Sequence, residues 1–599
     1  MKIQTPEEAL RHYFGYDSFR PLQREIIETV MRGRDCLVLM PTGGGKSICY
    51  QVPALIKPGI CVVISPLIAL MRDQVEALRA NGISAAYLNS SLDFDTYMEV
   101  IEQVKIADLK LLYISPEKLL TPEIKDLLSS VKISMFAIDE AHCISAWGHD
   151  FRPEYTRLQL LKTRFRGVPI IALTATADKN TRRDILGQLS LSDPEIFISS
   201  FDRPNLSLTV IPGQNKTQKV LDFVKLRPQQ PGIIYCLSRK GTESLAKKLQ
   251  EKGLEARFYH AGVGGKIREK VQDDFLNDRI QIVCATVAFG MGIDKSNVRW
   301  VIHYNLPKNL ESYYQEIGRA GRDGLPSDTL LLYSHGDVIQ HRRFLEESGQ
   351  QELQLAKLER MEQYASAQVC RRRILLSYFG EHEETPCGNC DICKNPPEWI
   401  DGTVLAQKAL SALYRLRGEV GINTLVDVLR GSQKKEILER GYDQIKTYGA
   451  GSDMSHFDWQ HCLLQMMHLG LLEINYDQNK TLKLTPGSMS VLKGEQKVEM
   501  VKPEKNFQKS GTTKKAPAPL ANLWEEGLFE ELRLFRYELA QKQGIPPYVV
   551  FSDSTLWEMV RHLPKDEGEM REISGVGAVK FRRYGEKFID RIQSYVRKK

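Results

Sequence analysis

A chain of 599 residues exceeds what one hydrophobic core supports, and about 150 residues per domain predicts roughly four modules. With 42% hydrophobic and 26% charged residues and no uninterrupted apolar run near the ~20 residues of a membrane span, the composition argues against an integral helical membrane protein. A net charge of +7 permits a polyanionic partner without requiring one. The polar segment from Met1 lacks the pattern of a secretory leader, so an intracellular, cytoplasmic setting is expected, with Cys36, Cys49, Cys61, Cys143, Cys236, Cys284 and Cys462 as reduced core thiols.

Near the amino terminus, Phe14-Gly-Tyr-Asp-Ser-Phe-Arg-Pro-Leu-Gln23 sets aromatic residues and a glutamine before an amphipathic helix through Glu25-Ile-Ile-Glu-Thr-Val30. A glutamine amide can pair with both edges of adenine and a ring can stack on the base. Tyr16, Arg20 and Gln23 therefore read either as an adenine site or as a helix start with a buried aromatic. Next, Leu37-Val-Leu-Met-Pro-Thr-Gly-Gly-Gly-Lys-Ser47 reads as an apolar strand, a glycine turn and a helix start. In Thr42-Gly43-Gly44-Gly45 the glycines let backbone N–H groups curl around phosphate oxygens, and the following helix points its positive end at the same anion. Lys46 would reach the β- and γ-phosphates of ATP, and Ser47 would ligate Mg²⁺. Met40 stands in the first glycine position of the general phosphate-loop pattern, and the sequence here looks like the helicase form of that loop.

To about residue 200, apolar β-branched runs alternate with helical patterns: Ile60–Ser65, Leu111–Ser115, Ile133–Ile138 and Pro169–Leu173. Such runs predict a parallel sheet covered on both faces, with its site at the carboxyl ends of the strands. Asp139-Glu-Ala-His142 follows one of them: Asp139 can hold Mg²⁺ and Glu140 can orient and deprotonate a water, while His142 could relay nucleotide state to Thr174-Ala-Thr176. In the succeeding loop, Trp147 and Phe151 suit base stacking and Arg152 a phosphate, with core packing of Trp147 as the alternative. A second α/β unit begins after Ser200-Phe-Asp-Arg-Pro-Asn205, with strands at Gly232–Cys236, Ile280–Cys284 and Val298–His303. It would contribute Gln315-Glu-Ile-Gly-Arg-Ala-Gly-Arg-Asp323 to an interlobe cleft. On a helix, Arg319 and Arg322 would share a face toward the γ-phosphate, one of them as an arginine finger. Thr286–Asp294 is a glycine-bearing loop suited to tracking a backbone.

Beyond about residue 340 helical periodicity takes over. Cys370, Cys387, Cys390 and Cys393, spaced C-x16-C-x2-C-x2-C, favour a structural Zn²⁺ site over disulfides. The adjoining Arg371-Arg-Arg373 would touch phosphates or solvate a helix. Phe457–Gly470 predicts a buried helix, and Leu471–Thr485 two alternating runs about a polar turn. The stretch Gly494–Pro519 reads as a linker. Last, the Gly575-Val-Gly577 turn with Lys580, Arg582 and Arg583 offers N–H groups to a phosphate or to a protein surface.

Gln23, Gly43–Ser47, Asp139–His142, Thr174–Thr176, Thr286–Asp294 and Gln315–Arg322 resemble, in order, the superfamily-two helicase motifs. The Trp-Gly-His-Asp-Phe-Arg-Pro loop and the carboxyl-terminal modules resemble RecQ DNA helicases over nearly the whole chain. That resemblance implies two tandem RecA-like parallel-sheet lobes (1–204 and 205–340), a helical zinc-binding module (341–400), a winged-helix domain (401–490), a linker (491–518) and a small all-α HRDC domain (519–599). It implies an ATP-, Mg²⁺- and Zn²⁺-dependent 3′–5′ DNA helicase of recombination, fork processing and repair. Tyr16, Arg20, Gln23 and Gln315 would then serve the nucleotide. Trp147, His149, Phe151 and Arg152 would couple single-stranded DNA to hydrolysis, with Arg322 the favoured finger. Tyr476, near the wing tip, would stack on the terminal base pair or simply lie on the surface. Single-stranded-DNA-binding protein and repair proteins would be partners, in a bacterial-type, nucleoid-associated setting. Rival readings are an RNA helicase, a translocase that does not separate strands, and an ATP-gated scaffold.

Overall fold

The structure, a computed structural model, describes residues 3–145, 151–175, 179–191, 193–290, 295–346, 351–381, 383–418, 420–475, 481–502 and 523–598. Met1–Cys393 together with Ala521–Lys599 form one body, and Lys394–Leu520 another.

In the first body, β1 (Cys36–Leu39), β2 (Ile60–Ile64), β3 (Ala85–Leu88), β4 (Leu111–Ile114), β5 (Ile133–Ile138), β6 (Ile170–Thr174) and β7 (Glu195–Ile198) form one sheet, ordered β3-β4-β2-β5-β6-β1-β7. All its pairings are parallel. The unbroken apolar runs follow from burial on both faces. Leu37 and Leu39 of β1 enter the core on one side, and Cys36 and Val38 that on the other. A second parallel sheet, ordered β10-β11-β9-β12-β13-β8, contains β8 (Leu206–Pro212), β9 (Gly232–Tyr235), β10 (Ala256–Tyr259), β11 (Ile282–Ala285), β12 (Trp300–His303) and β13 (Ser327–Tyr333). Gly232 is required there, because a Cβ on it would collide with the indole of Trp300.

Five helices place the site: α1 (Gln23–Met31), α2 (Ile48–Ile56), α3 (Leu310–Ile317), α4 (Gln351–Ser366) and α5 (Arg371–Tyr378). The side chain of Asn309 caps α3 by accepting the Ser312 N–H at 2.8 Å. This helix ends at Ile317, which corrects the expectation of a helical Arg319–Arg322 pair. Gly321 takes φ 58°, and the two arginines sit in a turn instead. In the arginine run after Cys370, Arg371 and Arg372 are buried and Arg373 is exposed. Arg371 pairs with Asp391 at 3.0 Å and Arg372 with Asp202 at 2.5 Å, and Arg373 Nε donates to the Glu383 carbonyl at 2.9 Å.

The carboxyl-terminal helices, from Leu523–Gln543 to Glu586–Arg597, enclose a separate core of Leu528, Leu532, Phe551, Phe588 and Ile592. The other body packs the helices Thr403–Arg415, Ile422–Leu429 and His456–His468 around Leu410, Leu425, Trp459 and Leu463. Ser455 and Asp458 form a capping box at the start of the last of these. Its antiparallel pairs are β14 (Trp399–Asp401) with β17 (Glu499–Val501), and β15 (Leu472–Asn475) with β16 (Thr481–Leu484). The range expected as linker, 491–518, thus includes β17, while its part from 503 lies outside the described residues. Among the described residues no helix is long and apolar enough to cross a membrane.

Candidate active site

The phosphate loop leaves the carboxyl end of β1 and enters α2. Gly43 and Gly45 adopt φ of 80° and 87°, the left-handed region that disfavours any side chain. The Gln23 side chain accepts the Arg20 N–H at 2.9 Å and donates to the Gly45 carbonyl at 3.0 Å, while Arg20 Nη1 donates to the Gly43 carbonyl at 2.6 Å. Two of the residues expected to serve adenine therefore also brace the phosphate loop. Tyr16 beside them is 42% exposed. Lys46 Nζ donates to the carbonyl of Met40 at 3.0 Å and of Pro41 at 3.4 Å, crossing the loop mouth. Ser47 lies at the head of α2.

β5 delivers Asp139 and Glu140 to the same edge. Glu140 has φ 48°, a strained conformation for a non-glycine residue, and its N–H donates to Asp139 Oδ1 at 3.0 Å. Burial and the neighbouring Glu140 push the Asp139 carboxyl up to about 7, against the pull of Lys46. The confined carboxylates of Asp139 and Glu140 are hard oxygen donors of the kind that suits Mg²⁺. His142 Nδ1 lies 3.0 Å from Thr174 Oγ1 and 3.2 Å from Glu140 Oε2, so one buried imidazole touches both the acid and the strand β6. In the adjoining loop Phe151 is 45% exposed, and Arg152 Nη1 donates to the Pro66 carbonyl at 2.9 Å, at the end of β2. Trp147, His149, Thr176, Asp294 and Tyr476 lie outside the described residues.

From the second sheet, the turn after α3 meets the phosphate loop. A Cβ built on Gly43 would lie 3.4 Å from the Arg322 Cα, and one on Gly318 would lie 3.2 Å from the Thr42 Cβ. Gln315 is half-buried in α3 just before this turn. Arg319 is set back in its own lobe, hydrogen-bonded to Tyr235 and close to Gly290. A further residue stands at this junction, Arg203, whose guanidinium donates to the carbonyls of Thr42, Ala320 and Gly321. Its only sequence signal was the Phe-Asp-Arg-Pro-Asn run between the lobes.

Away from the cleft, the Sγ atoms of Cys370, Cys387, Cys390 and Cys393 all lie within 4.8 Å of one another. Cys387 and Cys393 are 4.0 Å apart, near the ~3.8 Å edge of a tetrahedron with ~2.3 Å Zn–S bonds. Burial pushes the Cys370 thiol up, but N–H donors led by Cys387 outweigh it and bring it down to about 7. The set fits a closed Zn²⁺ site. The carboxyl-terminal glycine turn is occupied by protein: the Gly575 N–H donates to the Gly15 carbonyl and Arg583 Nη1 to the Ala80 carbonyl, each at 2.9 Å.

A phosphate loop and paired acids on one RecA-like sheet, met by an arginine turn from a second, define a two-lobed NTPase motor of the helicase class. Family models agree segment by segment: DEAD/DEAH box helicase over 20–184, Helicase conserved C-terminal domain over 215–324, RecQ zinc-binding over 335–394, RQC domain over 396–509 and HRDC domain over 525–592. Among similar proteins, the ATP-dependent DNA helicase RecQ of Pasteurella multocida (strain Pm70) is 47% identical, covering 99% of this chain and 94% of its own length. That of Bacillus subtilis (strain 168) is 40% identical over 99% of each. The RecQ-like DNA helicase BLM of Xenopus laevis is 36% identical over 97% of this chain and 46% of its own length. The chain belongs to the RecQ family of helicases, with two RecA-like lobes, a zinc-binding module, a winged-helix domain and an HRDC domain in that order.

Proposed function

We propose that this protein is an ATP- and Mg²⁺-dependent DNA helicase that moves 3′ to 5′ and separates strands in recombination, replication-fork processing and repair. The observation that carries this reading is the meeting of the Gly43–Gly45 loop with the Arg322 turn across two parallel sheets, in a chain similar to RecQ helicases over nearly its full length. Ser47 and Asp139 would hold Mg²⁺, which supplies charge neutralisation at the β- and γ-phosphates when bound with ATP. Lys46 turns from the Met40 and Pro41 carbonyls to the phosphates, and Thr42 to Gly45 cradle them with backbone N–H groups. Tyr16, Arg20, Gln23 and Gln315 orient the nucleotide. Glu140 takes the proton of the attacking water, while Arg322, backed by Arg319, stabilises charge on the transferred phosphoryl group.

DNA engagement is assigned to Trp147, His149, Phe151 and Arg152. Arg152 reports on the end of β2, and His142 links the acids to β6, so DNA grip and water activation share a short path. Tyr476 at the wing would stack on the junction base pair. The four cysteines hold Zn²⁺ as a folding element. Single-stranded-DNA-binding protein and other repair proteins are proposed as partners, and the cytoplasmic nucleoid as the location.

The test is strand separation of a duplex carrying a 3′ or a 5′ single-stranded tail, with ATP and Mg²⁺ and with Lys46→Ala as control. Unwinding from the 3′ tail only, lost in the variant, is expected. DNA-stimulated hydrolysis without separation would instead indicate a translocase or an ATP-gated scaffold.

A further inference from the structure

Between the lobes, residues 199–205 form the hinge that joins β7 to β8. Arg203 extends from it into the space between the phosphate loop and the arginine turn. Its Nη1 donates to the Thr42 carbonyl of the first lobe and, at 3.5 Å, to the Gly318 carbonyl of the second. Its Nη2 donates to the carbonyls of Ala320 at 3.0 Å and Gly321 at 2.8 Å. Asn205 Nδ2 adds a bond to the Gly321 carbonyl at 2.9 Å. One planar cation thus binds backbone from both sides of the cleft, and its second-lobe partners flank Arg319 and immediately precede Arg322. A guanidinium fork suits this, because its N–H groups diverge in one plane and can hold two segments at fixed separation.

The hinge is itself held. Phe201 stacks on Phe379 with ring centroids 4.6 Å apart, and its carbonyl accepts from Tyr314 OH at 2.7 Å. The Phe201 N–H donates to Glu381 Oε2 at 2.8 Å, and Asp202 is paired with Arg372 of α5. The backbone carrying Arg203 is therefore fixed by the zinc-binding module, leaving little play at the guanidinium. Burial lowers Arg203 to about 10, so it remains a cation at neutral pH.

We propose that Arg203 is a positioning residue for ATP hydrolysis: it fixes the Arg319–Arg322 turn against the phosphate loop, so that Arg322 meets the transferred phosphoryl group in register. This rests on the helicase reading above. A misplacement of about 1 Å at such a site is enough for about a 100-fold loss in rate.

The test is DNA-stimulated ATP hydrolysis by the full-length chain. Arg203→Ala is expected to lower kcat about 100-fold, with KM for ATP, affinity for ADP and nucleotide-free affinity for single-stranded DNA each within about threefold of wild type. Arg203→Lys, which keeps the charge but has no planar fork, should recover about tenfold of that loss. Arg203→Ala combined with Arg322→Ala should be no slower than Arg322→Ala alone, because one acts through the other. A kcat in Arg203→Ala within threefold of wild type, an ADP affinity that falls as far as kcat, or additive losses in the double variant would overturn the inference. Zinc content and DNA affinity report whether Arg203→Ala folds; if it does not, Arg203→Lys decides, and a wild-type kcat there overturns the inference. Absence of hydrolysis by the wild-type chain would sink the helicase reading instead, a separate outcome.

Discussion

At the scale of single residues, His142 is the narrowest connection in the cleft. Its Nδ1 is 3.2 Å from Glu140 Oε2, the acid proposed to activate water, and 3.0 Å from Thr174 Oγ1 on β6. Removing the imidazole deletes a buried hydrogen-bonding link worth about 1–1.5 kcal/mol, or about tenfold in coupling. His142→Ala is therefore expected to cut the ratio of hydrolysis rates with and without single-stranded DNA by about tenfold, read from steady-state turnover under both conditions. The residues of this site differ in how far their sequence exposes them. Gly43–Gly45 and Asp139–Glu140 are legible as local features: a turn in the left-handed region needs its glycines, and two acids adjacent in sequence end on one strand edge. Arg203 is not, because its carbonyl partners lie 115 to 161 positions away in sequence and no side-chain type marks a carbonyl as an acceptor. For Gln23 the sequence suggests a base contact, whereas its grip on the Gly45 carbonyl emerges only when α1 lies beside the loop.

At the scale of elements, strand legibility follows position in the sheet. The strands read from apolar runs, β1, β2, β4, β5, β6, β9, β11 and β12, lie inside the two sheets, where both faces and both edges are covered. Those not read include all four edge strands, β3, β7, β8 and β10. Ile196 and Ile198 of β7 stay exposed and Ala256-Arg-Phe-Tyr259 mixes buried ends with an exposed middle, so neither shows an unbroken apolar run. The turn at Arg319–Arg322 is likewise set by tertiary contact: the helix has already ended at Ile317, and Gly321, at φ 58°, packs where a Cβ would collide with Asn205 of another segment. The zinc-binding module offers a sharp test. Arg371, with its side chain 4% exposed, is paired to Asp391, and Asp391 Oδ2 also accepts the Val210 N–H at 3.1 Å. Arg371→Ala leaves a carboxylate without its countercharge and should cost about 3–5 kcal/mol, seen as a lower urea midpoint for the transition that releases zinc. Chelating the metal from the wild-type chain should lower the same midpoint, because Cys370 is the N-cap of α5.

At the scale of the whole molecule, the last domain belongs to the motor body although 127 residues of another body separate them in sequence. It reaches both lobes. Gly575 and Arg583 meet Gly15 and Ala80 of the first, and Gln541 accepts from Arg279 of the second at 3.4 Å. A Cβ on Gly577 would lie 2.9 Å from the His12 carbonyl oxygen and 3.0 Å from that of Tyr13, backbone that cannot step aside. Gly577 itself has an ordinary φ of −76°, so Gly577→Val should undock the domain without straining it. Hydrogen exchange at Gly575 is then expected to speed up by about tenfold or more while the core around Phe588 stays protected. The Arg583–Ala80 bond spans 503 positions, which sets a timetable for the chain. At about 5–20 residues per second, synthesis brings Arg583 into being roughly 25–100 s after Ala80. For that interval the newborn first lobe must remain folded and unaggregated with this face bare. Two of the contacts it awaits there are backbone acceptors, the carbonyls of Gly15 and Ala80, which water can satisfy until Gly575 and Arg583 arrive.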